Sequence, residues 1–268
     1  MSEFSTEQKY LDIFLTPIKK SLDYHPKFGN SQKEEGFSLK EFKKLYGSDP
    51  FYSWIGLNSD LMYAAHKAAG GMTSLYRQIG IGCEQLFRQI IIDKTEYTDE
   101  DFACWSYEAK TKSGSTKTFS LDARLEIGQI NNITVRENVV KWLQAYSKEI
   151  NIKNLPHNGI IFEVRQGYKS KDSKRQNADI DNATVAWANG YLPVFAIFSS
   201  QIDYDIVLRY RNNRCGILTG INNDDVSISL FAFSKQILGF DLAEFFKKKS
   251  RTIKNKLNFV IESLLTAK

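Results

Sequence analysis

Residues 159–180 read GIIFEVRQGYKSKDSKRQNADI. The stretch opens with an apolar run, closes that run with an acid and a base two positions apart, and continues into a cationic segment. The run follows a turn at 156–159 and is rich in β-branched and aromatic residues, which predicts a strand. Because side chains alternate between the two faces of a strand, Glu163 and Arg165 are expected on the same face.

This pair of side chains is typical of one kind of chemistry. Metal-assisted phosphodiester hydrolysis uses a carboxylate to bind a hard cation and a cationic group to stabilise the nucleophile or the developing charge. An exposed salt bridge is the alternative interpretation, because an E-x-R triplet occurs by chance in many proteins.

The segment after the triplet carries a cluster of cations against the single acid Asp172, and such a cluster would neutralise several phosphates. A solvated lysine-rich loop is the other explanation. The cations are Lys169, Lys171, Lys174 and Arg175. Asp172-Ser173-Lys174 also forms a literal D-x-K, but 167–177 lacks the apolar content of a buried strand and Ser173 resembles a helix cap. This triplet is therefore the second choice for the catalytic pair.

A metal site needs a second acid, and residues 118–127 supply a candidate. Apolar and polar residues alternate through this range, which predicts one strand with Asp122 at its middle on the polar face. An ordinary half-exposed strand with an Arg124/Glu126 pair is the alternative. Thr134-Val-Arg-Glu137 then matches a capping box, and the apolar positions after it follow helical spacing. The predicted order is strand, helix, strand.

The rest of the second half continues as an α/β layered core. Apolar positions after the cationic segment follow helical spacing, and strands are predicted at 192–198, 215–219 and 226–232. The helical positions are Ile180, Thr184, Trp187 and Tyr191.

Helices are expected at both ends of the chain. An apolar stripe predicts a helix over 72–93, and residues 247–256 carry cations without an acid on an amphipathic C-terminal helix. The first 60 residues look like helices that are broken at 26–30 and at 49–50.

Three long strings resemble the ApaLI-like family of type II restriction endonucleases, within the PD-(D/E)XK nuclease superfamily. They are AAGGMTSLYRQIGIGCEQLFRQII at 68–91, EVRQGYKSKDSKRQNADI at 163–180 and YLPVFAIFSSQID at 191–203, and the likeness runs from about 68 to 220. The resemblance implies an α/β fold with a PD-(D/E)XK restriction-endonuclease-like core, a mixed central sheet flanked by helices, and a helical N-terminal part. It also implies Mg²⁺-dependent cleavage of double-stranded DNA at a short palindrome by a homodimer.

The superfamily motif assigns roles to particular residues. Asp122 and Glu163 would bind Mg²⁺, with Glu84 of the 72–93 helix as a third acid; an exposed helical glutamate is the alternative for Glu84. The usual lysine of the motif is Arg165 here, and a guanidinium stays protonated, so Arg165 would orient water or stabilise charge rather than act as a base. Lys169 would supply the ammonium instead if the strand extends that far.

Contacts with DNA are expected from cationic and amide side chains, which do most of the reading of base edges and phosphates. A solvated surface is the alternative for all of them. The candidates are Lys171, Asp172, Lys174, Arg175, Gln176, Asn177, Arg77, Arg209 and Arg211. The resemblance suggests a six-base palindrome like GTGCAC.

Bulk properties fit this interpretation without requiring it. The chain has 268 residues, 42% hydrophobic content and a formal net charge of +5, and no proline- or glycine-rich linker divides it. One domain is therefore expected, with a helical part at 1–66, a catalytic α/β core at 67–235 and a basic C-terminal helix at 236–268.

The spacing of the three cysteines and three histidines argues against a disulfide framework, structural zinc and histidine-dependent catalysis. A signal peptide and an apolar run of spanning length are both missing, so a cytoplasmic protein without a membrane partner is expected. Two competing functions remain open: a structure- or modification-directed DNA repair nuclease on the same core, and a DNA-binding module without catalysis.

Overall fold

The protein, described by a computed structural model over residues 3–29, 33–110, 115–152, 155–168 and 173–267, is mixed α/β. Its contacts divide it into two compact units, Met1–Gly82 with Lys248–Lys268, and Cys83–Lys247. These limits differ from the predicted internal boundaries at 66/67 and 235/236. Both divisions between the units fall inside long helices, Asp60–Thr95 and Leu242–Leu264, and no linker separates the units along the chain there.

The first unit is helical, as the sequence predicts. It contains α1 (Glu3–Lys19), α2 (Leu39–Gly47), α3 (Pro50–Trp54), the first part of α4 (Asp60–Thr95) and the last part of the C-terminal helix. Helix α2 begins with a capping box in which the Ser38 hydroxyl accepts from the N–H of Glu41 and the Glu41 carboxylate accepts from the N–H of Ser38. Asp49 caps α3 through its own side chain, directly before Pro50.

The second unit holds two sheets. Strands β1 (Trp105–Lys110) and β2 (Thr116–Leu121) form an antiparallel pair. The larger sheet has the order β3 (Ala123–Glu126), β4 (Gly159–Arg165), β5 (Tyr191–Ile197) and β6 (Gly216–Thr219), with β3 antiparallel to β4 and the other neighbours parallel. Strands β4 and β5 are buried almost throughout, which explains their continuous apolar composition.

Helices connect the strands of the larger sheet. The connections are α5 (Ile133–Glu149) between β3 and β4, α6 (Ser173–Ala188) between β4 and β5, and α7 (Tyr204–Asn212) between β5 and β6, and they are followed by α8 (Leu230–Gln236) and α9 (Leu242–Leu264). Within the described ranges, no helix is both long enough and apolar enough to cross a bilayer.

The predicted strand over 118–127 is two strands. The chain bends at Asp122, so that β2 pairs with β1 whereas β3 pairs with β4. The alternation survives the break, because Leu121, Ala123 and Leu125 are all buried. Asp122 is therefore the junction between two sheets rather than the middle of one strand.

Three further expectations need correction. Helix α5 is capped by Asn132, whose side chain accepts from the N–H of Val135, so Thr134 lies inside the helix. The predicted strand over 226–232 is wrong, because the Ser229 hydroxyl accepts from the N–H of Ala232 and starts α8 instead. Strand β4 ends at Arg165, and Gln166 and Gly167 do not continue it.

Candidate functional site

Two hydrogen bonds place Asp122 against strand β4. The N–H of Asp122 donates to the carbonyl of Phe162 at 3.0 Å, and Oδ2 of Asp122 accepts from the N–H of Val164 at 2.7 Å. Val164 lies between Glu163 and Arg165, so the junction of the two sheets brings the predicted acid to the predicted pair. Because β3 pairs with β4, Asp122 lies next to Glu163 and Arg165 although about 40 residues separate them in the sequence.

The guanidinium of Arg165 is the centre of this arrangement. It contacts the Glu163 carboxylate directly, lies 3.2 Å from Oδ1 of Asp179 and lies 3.9 Å from Oδ2 of Asp122. These four side chains, here called the Arg165 cluster, expose between 5% and 18% of their surface. Three carboxylates thus share one guanidinium in a largely buried setting, which leaves an excess of negative charge.

Burial is the largest influence on the pKa values of the two acids Asp122 and Glu163, and the neighbouring charges modify it. Burial raises the pKa of Asp122 and so does the charge of Glu84, while the hydrogen bond from Val164 and the charge of Arg165 partly offset this. Burial also raises the pKa of Glu163, and the carboxylates of Asp122 and Asp179 raise it further against the opposing effect of Arg165.

The pKa of Arg165 responds in the complementary direction. Burial disfavours its charge, but the surrounding carboxylates raise its pKa above the ordinary value. A cation is therefore stabilised at this position, and an additional cation would favour ionisation of Asp122 and Glu163.

Glu84, the predicted third acid, lies next to the cluster on α4. Its Oε1 accepts from Arg88 at 2.7 Å, and Nε of Arg88 donates to the carbonyl of Asp122 at 2.6 Å. The guanidinium of Arg88 thus binds the Glu84 carboxylate and the backbone carbonyl of Asp122 at the same time. Glu84 and Arg88 form an i,i+4 ion pair on α4 that is half-buried. This pair contacts the junction at Asp122 and does not lie on an open surface.

Asp179 is a site residue that the sequence pattern does not reveal, because the apolar stripe expected for α6 passes through Ile180, Thr184 and Trp187. The face that is buried contains Gln176, Asp179, Ala183 and Ala186 instead. Two alanines at this spacing allow the helix to approach the sheet closely, and the two polar residues are buried with hydrogen-bond partners. The spacing of small residues is the signal in the sequence for this face.

Three predicted DNA-binding residues come together between α6 and α7. Arg209 donates from NH1 to the side-chain oxygen of Gln176 at 2.7 Å and from NH2 to that of Asn177 at 2.5 Å. One guanidinium on α7 therefore fixes the orientation of two amides at the start of α6.

The other predicted contacts lie in different places. Lys174 and Arg175 are exposed in the first turn of α6, and the charge of Arg175 acts to lower the pKa of Glu163. Arg211 is exposed on α7 and Arg77 is exposed on α4. Lys169, Lys171 and Asp172 lie outside the described residues.

In the part of the chain that the structure describes, no group of three or more His, Cys, Asp and Glu side chains is arranged to hold a metal ion. Asp122 and Glu163 nevertheless offer two hard oxygen donors, both with raised pKa values, on either side of Arg165. This donor set suits Mg²⁺, which is commonly bound by one or two carboxylates and keeps several waters.

The second unit also contains a cavity of about 510 Å³ at the amino ends of β4, β5 and β6. His157, Trp187 and Arg214 contribute to its lining. The Arg165 cluster lies at the opposite, carboxyl end of β4, so the cavity belongs to a different part of the unit.

Comparisons of the chain with protein families, with curated proteins and with solved structures found no match.

Proposed function

We propose that this chain is a Mg²⁺-dependent endonuclease that cleaves double-stranded DNA, of the type II restriction kind. The observation that carries the proposal is the Arg165 cluster, in which Asp122 and Glu163 are buried with raised pKa values beside a guanidinium. Perturbed carboxylates that meet a cationic group at a strand end are typical of catalytic sites.

The order of the larger sheet supports a PD-(D/E)XK core. An Asp at the start of β3, an E-x-R triplet at the end of antiparallel β4, helix α6 and parallel β5 follow one another as this core requires. We propose that this core is of the ApaLI-like kind, the resemblance expected for residues 68–220, and that the cleaved site is a GTGCAC-like palindrome.

Asp122 and Glu163 would hold Mg²⁺, with Glu84 close by. When bound, Mg²⁺ supplies positive charge against the charge that develops on the phosphodiester. Arg165 stays protonated, so it stabilises that charge and orients the attacking water instead of removing its proton. The water oxygen gives a proton to the solvent and bonds to phosphorus, the bond to the 3′ oxygen breaks, and that oxygen takes up a proton from the solvent, so the products are a 5′-phosphate and a 3′-hydroxyl.

Recognition of DNA is assigned to the start of α6 and to α7. Lys174 and Arg175 suit phosphate contacts because they are exposed and cationic. Asn177 is exposed and suits a base edge together with Arg209, whereas Gln176 is buried and orients Arg209. A homodimer with twofold symmetry would match a palindrome. Such a protein would act on DNA in the cytoplasm.

The experiment is incubation of long linear duplex DNA and supercoiled plasmid with the protein and Mg²⁺. We expect discrete fragments, none with EDTA, and loss of cleavage in Glu163→Gln but not in Glu149→Gln, a matched change of an exposed glutamate at the end of α5. A smear, or nicking confined to damaged DNA, would favour a repair nuclease. Binding of DNA without any cleavage would overturn the proposal.

A further inference from the structure

Asp179 is a buried acid to which the proposed chemistry assigns no part. It exposes 5% of its surface on α6, and its carboxylate lies next to the guanidinium of Arg165. A charge so deep in the protein is costly unless it is paired and hydrogen-bonded, and removal of one partner of such a pair is strongly destabilising. The ion pair with Arg165 therefore accounts for a buried acid at position 179.

Both oxygens of Asp179 are occupied by protein groups. Oδ1 accepts from NH2 of Arg165 at 3.2 Å, and Oδ2 accepts from the hydroxyls of Tyr168 at 2.9 Å and Tyr210 at 2.7 Å. Asp179 is thus committed to holding side chains. In contrast to Asp122 and Glu163, it is not a natural ligand for a cation.

The two tyrosines that hold Asp179 each contact a second element of the unit. Tyr168 follows β4 and forms a backbone bridge with Ile202, and the ring of Tyr210 stacks on Phe195 of β5 with centroids 4.1 Å apart. Burial raises the pKa of both hydroxyls, so they remain protonated donors in neutral and mildly alkaline solution.

The position of Asp179 determines which carboxylates the guanidinium of Arg165 contacts. NH2 of Arg165 is in contact with Asp179 and with Glu163 at the same time, while NH1 points toward Asp122 at 3.9 Å. Without the pull of Asp179, the guanidinium would settle between Glu163 and Asp122 and neutralise them. These are the two carboxylates to which the proposed function gives the metal.

We propose that Asp179 is a positioning residue: together with Tyr168 and Tyr210, it draws the guanidinium of Arg165 toward α6, so that the guanidinium is shared between Asp179 and one oxygen of Glu163 and stays 3.9 Å from Asp122, which leaves Asp122 and the other oxygen of Glu163 to a divalent cation. This inference rests on the proposed function. The charge of Asp179 also acts directly on Glu163, but the positioning role requires Arg165, and this requirement separates it from a mere tether between α6 and α7.

The test is titration with Mn²⁺, with the free ion counted by electron paramagnetic resonance, on the full chain. Asp179→Asn is nearly isosteric and removes the charge that attracts the guanidinium, so we expect Mn²⁺ affinity to fall about tenfold. In an Arg165→Ala background, the same change should lower affinity by about twofold or less, because no guanidinium remains to be positioned.

Tyr210→Phe is the second variant, because it keeps the ring stack and the charge of Asp179 and removes one donor. We expect it to weaken Mn²⁺ binding about two- to threefold, and only when Arg165 is present. This variant carries the test if Asp179→Asn does not fold.

The outcomes separate the two proposals. If the unchanged chain cleaves DNA and binds Mn²⁺, but affinity is the same in both variants or falls equally with and without Arg165, the positioning role is overturned and the nuclease remains. If the unchanged chain neither cleaves DNA nor binds Mn²⁺, the proposed function is overturned, and the positioning role with it.

Discussion

The N–H of Val164 donates a hydrogen bond of 2.7 Å to Oδ2 of Asp122. The bond closes the gap where the chain leaves β2 and enters β3, and it sets the Asp122 carboxylate beside the E-x-R triplet. A side chain that replaces a backbone acceptor in this way is fixed to the strand rather than to a flexible loop, and such rigidity is what a catalytic group needs.

Asp122→Asn should therefore separate structure from chemistry. The amide oxygen can still accept from Val164, so we expect the free energy of unfolding to change by less than about 1.5 kcal/mol. Cleavage should fall at least about 100-fold, because the charge is lost. Urea denaturation and single-turnover cleavage measure the two effects, and Asp224→Asn, a change of an exposed aspartate, is the control. Unchanged cleavage would remove Asp122 from the site.

Glu163→Gln should stabilise the metal-free protein at alkaline pH. The pKa of Glu163 is raised in the folded state, so the folded chain holds this proton more tightly than the unfolded chain. The resulting stability is present below the unfolded pKa and is lost as the pH rises through the folded pKa. The glutamine side chain of the variant does not ionise, so the advantage of the variant should grow with pH, by about 1–2 kcal/mol between pH 5 and pH 9.

Urea denaturation at a series of pH values in EDTA measures this difference. The matched Glu149→Gln should show no such trend, since that side chain is exposed. A pH-independent difference would mean that Arg165 neutralises Glu163 fully, and the excess negative charge that motivates a metal site would then be absent.

The sequence predicts the sheet from which the site is built. The apolar run before Glu163 leads to a buried strand, and period-2 alternation places Glu163 and Arg165 on one face, where they form an ion pair. The spacing of Val135, Val139, Trp142 and Tyr146 likewise leads to α5. These elements are predictable because a single local periodicity determines which side chains are buried.

The remaining parts depend on partners that are distant along the chain. The break at Asp122 leaves the alternation intact, so only the pairing of β2 with β1 and of β3 with β4 reveals it. Asp179 is buried because Arg165, Tyr168 and Tyr210 satisfy its oxygens, and no pattern of hydrophobicity contains that information. Residues 226–232 alternate like a strand, yet a single cap at Ser229 begins a helix.

Arg165→Lys should keep more cleavage than Arg165→Met. Lysine keeps the positive charge and is the usual residue of the PD-(D/E)XK motif that the proposed function assigns to this site, so we expect cleavage within about tenfold of the unchanged chain. Methionine removes the charge, and a loss of at least about 100-fold is expected. Single-turnover cleavage at saturating Mg²⁺ measures both. Equal losses in the two variants would show that the planar fork of the guanidinium, rather than its charge, is what the site requires.

Proton release should couple to metal binding. Asp122 and Glu163 have raised pKa values and must be ionised to hold a cation, so the Mg²⁺ concentration for half-maximal cleavage should fall as the pH rises from about 6 to 9. Cleavage measured over a grid of pH and Mg²⁺ tests this. In Asp122→Glu, the pH dependence should persist, whereas a requirement for Mg²⁺ that is constant over this range contradicts the assignment of the two ligands.

Arg209→Ala should loosen sequence discrimination. Arg209 fixes the amide oxygen of the exposed Asn177, so this amide group can rotate once Arg209 is removed and can offer either donor or acceptor to a base edge. We expect discrimination between the cleaved site and its single-base variants to fall by about 1–3 kcal/mol. Arg211→Ala is the control on the same helix: its side chain is exposed, and its loss should weaken binding to all sequences alike and reduce the salt dependence. Binding measured in Ca²⁺ against a panel of substituted duplexes distinguishes the two, and equal behaviour of both variants would limit Arg209 to phosphate contact.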